Sequence, residues 1–139
     1  MRDLITVGDL PIDLAVLISH VASPSAGATV LFVGTVRDHA PGREGVTRLE
    51  YEAYAQHVVS KIADIVAEAR DRWSIIGVAA VHRTGDLAVG EVSVAVAVSS
   101  AHRGDAFPAA SFVIDELKQR APIWKKEHWP GGAEWVQGA

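Results

Sequence analysis

A proline at position 122 constrains the fold more than any other single residue, because it closes a helix and forces the chain to turn. The residue before a proline is disfavoured in the α conformation, so the helical pattern before Pro122 has to end close to Arg120. Cations near the negative end of a helix commonly stabilise it by about 0.3–1 kcal/mol. The alternative is that they form an anion-binding and proton-transferring site. Four cations lie around this break: Lys118, Arg120, Lys125 and Lys126.

The hydrophobic pattern before this turn alternates between helical and extended periods. Apolar residues recur at helical spacing after Pro11 and again between Gln56 and Trp73. Strands are predicted at 28–36, 46–54, 76–82 and 91–99. The first is apolar on both faces and is therefore expected to be a central strand. Segment 83–90 carries two glycines and is expected to be a long turn.

The last helix and the tail complete the predicted order of elements. Asp105 is expected to cap a helix that runs to Arg120, with Pro108 in its first turn. The tail after Pro122 has room for two short strands. Helices and hairpin-like strand pairs in this order predict an α+β fold, with a mainly antiparallel sheet and helices on one of its faces. The buried face of the last helix is expected to contain Phe107, Ala110, Ile114 and Leu117.

Composition restricts the classes of function. With 139 residues, 49% of them hydrophobic and 22% charged, residues 1–139 are expected to form one globular domain. A net charge of −4 argues against a protein that coats nucleic acid or an anionic membrane. The absence of cysteine excludes disulfides, thiolate metal sites and a cysteine nucleophile. Neither a signal peptide nor an apolar run of about 18–20 residues is found, so a cytoplasmic protein is expected.

Basic residues follow two predicted strands and surround the helix break. If the strands before Arg37 and Arg103 are parallel neighbours, both arginines project from the same edge of the sheet. Segment 100–105 would then offer a phosphate site at a helix N-terminus, and arginines bind phosphate in bidentate geometry. The alternative is ordinary polar surface at the ends of elements. The three clusters are Arg37 with His39, His102 with Arg103, and Lys118 with Lys125 and Lys126.

Lys118 and Lys125 are the candidates for acid–base chemistry. A lysine that lies near other cations, or is partly desolvated, has a lowered pKa and can exchange protons nearer neutral pH. Because Pro122 interrupts the helix between them, the turn itself has to bring Lys125 back towards Lys118. Gly34 inside a strand predicts a bulge or a close backbone approach just before Arg37.

Histidines and tryptophans are expected to have structural roles. No pair among the histidines has the close spacing of a zinc site, so no metal is expected. Trp124 and Trp129 are expected to pack on apolar surface in preference to forming a stacking platform. The histidines considered are His39, His82, His102 and His128.

Five segments make the chain resemble the large, catalytic subunits of molybdopterin synthase, the MoaE family. The most specific are Ser-Ala-His-Arg at 100–103 and Ala-Pro-Ile-Trp-Lys-Lys-Glu at 121–127. Residues 1–27 match weakly, and no function is inferred for them; Pro108 also departs from the family pattern. The segments are 32–39, 49–54, 81–87 with Gly90, 100–103 with 106–107, and 117–127.

The resemblance implies an α/β hammerhead-like fold and a homodimer that binds a small ubiquitin-like sulfur-carrier subunit at each end, which gives a heterotetramer. The carrier's C-terminal Gly-Gly thiocarboxylate would transfer sulfur to cyclic pyranopterin monophosphate, and two rounds would form the dithiolene of molybdopterin. The family requires no cofactor or metal in this subunit. The sulfur would arrive on the partner, which agrees with the absence of cysteine here.

The resemblance also implies roles for individual residues, some of which would reach the pocket across the dimer interface. Lys118 and Lys125 correspond to catalytic positions. Two alternatives remain at this stage, a non-catalytic module that docks the carrier and a generic phosphoanion-binding domain. The implied substrate-binding residues are Thr35, Val36, Arg37, His102, Arg103, Lys126 and Glu127.

Overall fold

A computed structural model describes residues 3–137, which form three helices and eight strands. None of the helices in this part of the chain is long and apolar enough to cross a membrane. The predicted alternation of helices and strands is confirmed, including two short strands after Pro122. In chain order the elements are β1 (Leu4–Gly8), α1 (Leu14–Val21), β2 (Ala28–Thr35), β3 (Arg48–Ala53), α2 (Ala55–Arg72), β4 (Gly77–Arg83), β5 (Gly85–Ala88), β6 (Val92–Ser100), α3 (Arg103–Arg120), β7 (Ile123–Trp129) and β8 (Gly132–Gln137).

The strands are divided between two four-stranded sheets. The first has the order β1-β4-β6-β2 and the second the order β5-β3-β7-β8. Among the strands described, only β1 and β4 pair in parallel, and all other neighbours are antiparallel. The α+β class with mainly antiparallel pairing is therefore confirmed.

Helices cover both faces of the first sheet. α2 and α3 pack against the face that carries Val78 and Ala80. α1 packs Leu17 against the opposite face, which carries Ala79 and Ala97. The expectation of helices on one face therefore describes α2 and α3 but is wrong for α1. Because successive residues of β4 and β6 are apolar on both faces, each face needs a cover.

β2 lies at the edge of the first sheet, which corrects the expectation that segment 28–36 is a central strand. Among the strands that the structure describes, it pairs with β6 alone, and most of its residues are only partly buried. An apolar pattern on both faces of a strand indicates that its side chains are covered. It does not indicate whether both backbone edges of the strand are paired. A free apolar edge is a surface that another chain or element commonly covers.

Segment 83–90 contains β5 and is not only a long turn. Gly85 has a φ of 86°, a conformation that glycine adopts without strain, and it lets the chain change direction directly after β4. Leu87 then lies fully buried opposite Leu49 of β3. Only one buried apolar residue marks this short strand, so its alternation is too weak to be recognised in the sequence.

α3 begins at Arg103, two residues before the expected cap at Asp105. His102 is at the N-cap position and makes no side-chain capping hydrogen bond, while Asp105 lies in the first turn. Phe107 is 60% exposed, so the expectation that it is buried is wrong. Each helical residue rotates the side chain by about 100°, and Ala106 takes the buried position instead.

Candidate active site

A cavity of about 240 Å³ lies where β2, β3, β6, α3 and β7 meet. Five of the nine predicted site residues line it: Thr35, Arg37, Lys118, Lys125 and Glu127. They come from the end of β2 and the loop after it, from the last turn of α3 and from β7. Three cations against one carboxylate give this cavity a positive wall in a chain of negative net charge.

The turn at Pro122 brings the two lysines to the same cavity, as predicted. The Ala121 amide donates to the Leu117 carbonyl at 3.0 Å, which closes the last turn of α3. β7 begins at Ile123, only three residues after the helix ends. Lys125 therefore lines the same space as Lys118, although one belongs to a strand and the other to a helix.

The surroundings of Lys118 lower the pKa of its ammonium group. Partial burial is the largest cause, followed by the positive charges of Lys125 and Arg37, whereas Asp115 acts in the opposite direction. The residue nevertheless keeps an exposed surface, so a substrate can reach it. A lysine with a lowered pKa exchanges protons closer to neutral pH, which makes Lys118 suited to acid–base chemistry.

A bulge in β2 forms the wall next to Arg37. The register between β2 and β6 shifts between Gly34 and Thr35. A Cβ on Gly34 would lie 2.6 Å from Cγ1 of Val94, so no larger residue fits there without movement. Both features confirm the prediction made from this glycine. After the bulge, Arg37 lines the cavity, whereas the Val36 side chain is buried in the core and does not line it.

Strand alternation separates Lys126 from the other residues of its segment. Lys125 and Glu127 lie on one face of β7 and line the cavity. Lys126 lies on the opposite face, where its Nζ is 5.5 Å from the ring centroid of Trp135. The structure therefore does not bring Lys126 into the cavity, although it is adjacent in sequence to two residues that line it.

Arg43 is a residue of this region that sequence reasoning missed. Its Nε lies 3.5 Å from Oε1 of the buried Glu127, and its guanidinium also pairs with Glu134. The guanidinium carbon is 3.6 Å from the ring centroid of Trp129. Arg43 thus connects the 40–45 loop to the β7–β8 hairpin. In the sequence this loop shows only turn chemistry, so nothing marked the arginine.

Tyr51 and Ser93 form a polar part of the cavity wall that was also missed. Tyr51 is 5% exposed, and burial raises the pKa of its hydroxyl, while a hydrogen bond with Ser93 acts in the opposite direction. The Ser93 hydroxyl donates to the Gly34 carbonyl at 3.3 Å. The inward position of residue 51 in an alternating strand was the available signal, but it indicated only core packing.

His102 and Arg103 lie at the other end of the fold. β2 and β6 are antiparallel, so the hypothesis that Arg37 and Arg103 project from the same edge of the sheet is wrong. Arg103 and Lys118 are at opposite ends of α3 and are separated by roughly 22 Å along the helix axis, at 1.5 Å per residue. Within one chain the structure does not bring His102 and Arg103 to the cavity.

Two aromatic expectations have different outcomes. Trp129 packs against the Arg43 guanidinium, a cation, and not on the apolar surface that was expected. Trp124 is 45% exposed and lines a second, more open groove of about 610 Å³ together with Tyr54 and Trp135. Within residues 3–137, no group of three or more His, Asp or Glu side chains is placed to hold a metal ion.

Fold and cavity together define an α+β domain that gathers lysine and arginine side chains around a small cavity. The chain belongs to the MoaE protein family, whose model matches residues 7–120. It is 44% identical over 128 residues to molybdopterin synthase catalytic subunit 1 of Mycobacterium tuberculosis, covering 92% of this chain and 86% of that protein. Identity to the molybdopterin synthase catalytic subunit of Bacillus subtilis is 44% over 126 residues, or 91% and 80% of the two chains. The crystal structure of molybdopterin synthase from Staphylococcus aureus superposes with a TM-score of 0.87 at 37% identity, covering 94% of each chain.

Proposed function

We propose that this chain is the catalytic subunit of a molybdopterin synthase and acts as a sulfurtransferase in molybdenum cofactor biosynthesis. The proposal is supported by relatives that are molybdopterin synthase catalytic subunits and that match this chain over most of its length. The single observation that carries it is the joint placement of Lys118, Lys125 and Arg37 at one cavity. A non-catalytic docking module has no need for a partly buried lysine whose pKa is lowered by burial and, to a smaller extent, by two neighbouring cations, so the enzyme is favoured.

In the proposed reaction, the sulfur of a thiocarboxylate at the carrier's Gly-Gly C-terminus attacks a carbon of cyclic pyranopterin monophosphate. A carbon–sulfur bond forms as a carbon–oxygen bond at the same carbon breaks, and the departing oxygen takes up a proton. Water then breaks the bond between the carrier's acyl carbon and the sulfur, so the carrier leaves with a carboxylate and the sulfur stays on the pterin. A second carrier repeats the step at the neighbouring carbon, which gives the dithiolene.

The charge and position of each cavity residue indicate its role in this reaction. Lys118 transfers protons at the attacked carbon, because its pKa is lowered. Lys125 stabilises the negative charge that develops there. Arg37 binds the phosphate in bidentate geometry, next to the Thr35 hydroxyl. Glu127, paired with Arg43, adds a negative charge to the same cavity wall as Lys125.

We further propose a homodimer formed through β2 and α3. A shallow apolar groove lies between these elements and includes Phe32, Phe107 and Ile114. Phe107 is 60% exposed, and none of the strands described pairs with the outer backbone edge of β2. A second copy would cover the apolar groove and the open strand edge together. Each end of this dimer would bind one carrier, giving the heterotetramer.

Such a dimer would also complete the cavity. A twofold axis that passes near the middle of β2 reverses the strand direction, so the Ala28 end of one copy lies beside the Thr35 end of the other. Ala28 pairs with Ser100, which directly precedes the segment that contains His102 and Arg103. The second copy would therefore bring these two residues towards the Arg37 side of the cavity, where they would bind substrate.

The test is reconstitution of sulfur transfer with the purified chain, a thiocarboxylated carrier and cyclic pyranopterin monophosphate, with both products followed by mass spectrometry. We expect the carrier to exchange one sulfur for oxygen and the pterin to gain two sulfurs. The same carrier with an ordinary C-terminal carboxylate is the control and should give no product. Carrier binding without product would support a docking module, and failure to bind any Gly-Gly-tailed carrier would favour a phosphoanion-binding domain.

A further inference from the structure

The connection between β2 and β3, residues 36–47, supplies one wall of the cavity. The residues of this β2–β3 connection that line the cavity are Arg37, His39, Ala40 and Val46. Connections of this kind usually move more than the helices and strands that they join. Because Arg37 is the proposed phosphate ligand, binding of the phosphate requires that the connection be held against the rest of the cavity.

Backbone hydrogen bonds close the β2–β3 connection on itself but do not hold its tip, residues 40–43, to the rest of the protein. The Val46 amide donates to the Asp38 carbonyl at 2.8 Å. The amides of Ala40 and Arg43 each donate to the carbonyl of the other at 2.9 Å. Among the residues described, only the first and last residues of the connection make backbone hydrogen bonds to other segments. The tip therefore needs side-chain contacts to stay in place.

The side chain of Arg43 makes these contacts. Its guanidinium pairs with Glu127 of β7 and Glu134 of β8, and it lies over the ring of Trp129. Glu127 is 6% exposed and lines the cavity. Arg43 is thus in contact with one lining residue through its side chain and with another, Ala40, through its backbone. An exposed ion pair alone contributes little, but a contact with an aromatic ring and a pair with a buried carboxylate are less screened by solvent.

We propose that Arg43 is a positioning residue that fixes the cavity wall carrying Arg37, and so increases the affinity of the cavity for the phosphate of the substrate. This inference rests on the function proposed above. Arg43 itself does not line the cavity, so it acts on the substrate through Arg37 and Glu127. A lysine at position 43 would retain the charge but lose contacts, because only the planar guanidinium can pair with two carboxylates while it stacks on a ring.

The first measurement is native-state amide hydrogen exchange of Arg43→Ala, without carrier or pterin. We expect the Ala40 and Val46 amides to exchange about tenfold faster than in the wild type, since the tip opens more often without the guanidinium contacts. Arg72→Ala is the matched control. It removes an arginine that also lies over an aromatic ring, but on α2 and away from the cavity, and it should leave both amides unchanged.

The second measurement is the rate of sulfur transfer with saturating thiocarboxylated carrier and varied cyclic pyranopterin monophosphate. Arg43→Ala should raise KM for the pterin on the order of 10-fold, because the phosphate ligand is no longer held in position. It should leave kcat within about twofold of the wild type, since Lys118 and Lys125 belong to other elements. Arg43→Lys should recover part of the loss in KM, and Arg72→Ala should show the wild-type value.

The two measurements separate the contact from its effect on the substrate. Unchanged amide exchange in folded Arg43→Ala would overturn the inference, because the tip would then be held by other means. Faster exchange with a wild-type KM would also overturn it, since a purely structural role gives that result. If the wild type forms no product, the proposed function fails and the effect on substrate fails with it, whereas faster exchange in Arg43→Ala would still show that Arg43 holds the wall.

Discussion

The two ends of α3 carry similar charge in different surroundings. At the N-terminal end, His102 and Arg103 are exposed and do not line the cavity that contains Lys118. At the C-terminal end, Lys118 lines a cavity, and its pKa is lowered by partial burial and by two cationic neighbours. The same helix therefore presents one cationic group that lines the cavity of its own chain and another that does so only in the proposed dimer. Sequence position at the end of an element does not distinguish the two.

The sequence left open whether the cations at the C-terminal end of α3 stabilise the helix or form a site. The structure contains one cation of each kind. Arg120 donates from Nη2 to Oε2 of Glu68 at 2.6 Å and from Nη1 to Oε1 of Glu116 at 3.3 Å. It thus ties α3 to α2 and lies apart from the cavity. Lys118, two residues earlier, projects on another side of the helix and lines the cavity. Helix stabilisation and site chemistry are therefore assigned to different residues of the same turn.

The largest expected effect comes from Lys118→Ala. Loss of a positioned proton-transfer group should reduce the rate of sulfur transfer on the order of 10²–10⁴-fold. Lys61→Ala on α2, which does not line the cavity, is the matched control and should retain wild-type activity. The measurement is the single-turnover rate of product formation with saturating thiocarboxylated carrier. A Lys118→Ala rate close to that of Lys61→Ala would remove the catalytic assignment.

A complementation experiment tests whether the two ends of α3 meet across a dimer. Arg103→Ala and Lys118→Ala are each expected to be impaired as homodimers. In a mixed dimer of the two variants, one of the two cavities regains both side chains, so a 1:1 mixture should recover about a quarter of wild-type activity. The readout is sulfur transfer after the subunits are allowed to exchange. Activity no greater than the mean of the separate variants would show that Arg103 does not act in the partner's cavity.

Alanine substitutions at two glycines compare the cavity wall with the N-terminal end of α3 by their effect on the free energy of unfolding. Gly34→Ala places a Cβ 2.6 Å from Val94 Cγ1 at the cavity wall, and such overpacking should lower the free energy of unfolding by about 1–3 kcal/mol. Gly104→Ala is the control at the N-terminal end of α3, where a Cβ meets nothing within 4 Å and the helix favours alanine. Urea denaturation of both variants gives the values. Equal stability would contradict the close approach at the bulge.

The smallest effect concerns the ion pair that ties α3 to α2. The hydrogen bond from Arg120 is the largest cause of the lowered pKa of Glu68. A depressed carboxylate pKa stabilises the fold above the ordinary value of 4.5, and this stabilisation is lost as pH falls through the lower folded pKa. Glu68→Gln should therefore be slightly less stable than the wild type at neutral pH, and the difference should disappear in acid. Thermal unfolding between pH 3 and pH 7 measures this, and a difference that does not change with pH would exclude the pair as its cause.

The sequence predicted the elements and the cavity lysines because both depend on local rules. Hydrophobic periods located the helices and most strands, and Pro122 required the turn that brings Lys125 to Lys118. Strand neighbours could not be obtained in this way, since pairing depends on contacts between distant segments. The parallel arrangement assumed for the strands before Arg37 and Arg103 was therefore wrong, and β2 was assigned to the centre of the sheet.

Sequence reasoning missed these residues for one physical reason. Arg43 acquires its role only when β7 and β8 fold next to its loop, where Glu127, Glu134 and Trp129 surround it. Tyr51 shows only the alternation of a core strand until β6 places Ser93 beside it at the cavity wall. In both cases the chemistry is created by neighbours that are remote in sequence.

The turn at Pro122 has a consequence for how substitutions in the core should be judged. Lys118 belongs to a helix that packs on the first sheet, whereas Lys125 belongs to a strand of the second sheet. The distance between their amino groups is therefore fixed by the packing between the sheets, in which Leu117 and Ile123 are almost fully buried. A mild core substitution there can leave the melting temperature nearly intact and still misalign the two amines. For this region, turnover is a more sensitive measure of packing than stability.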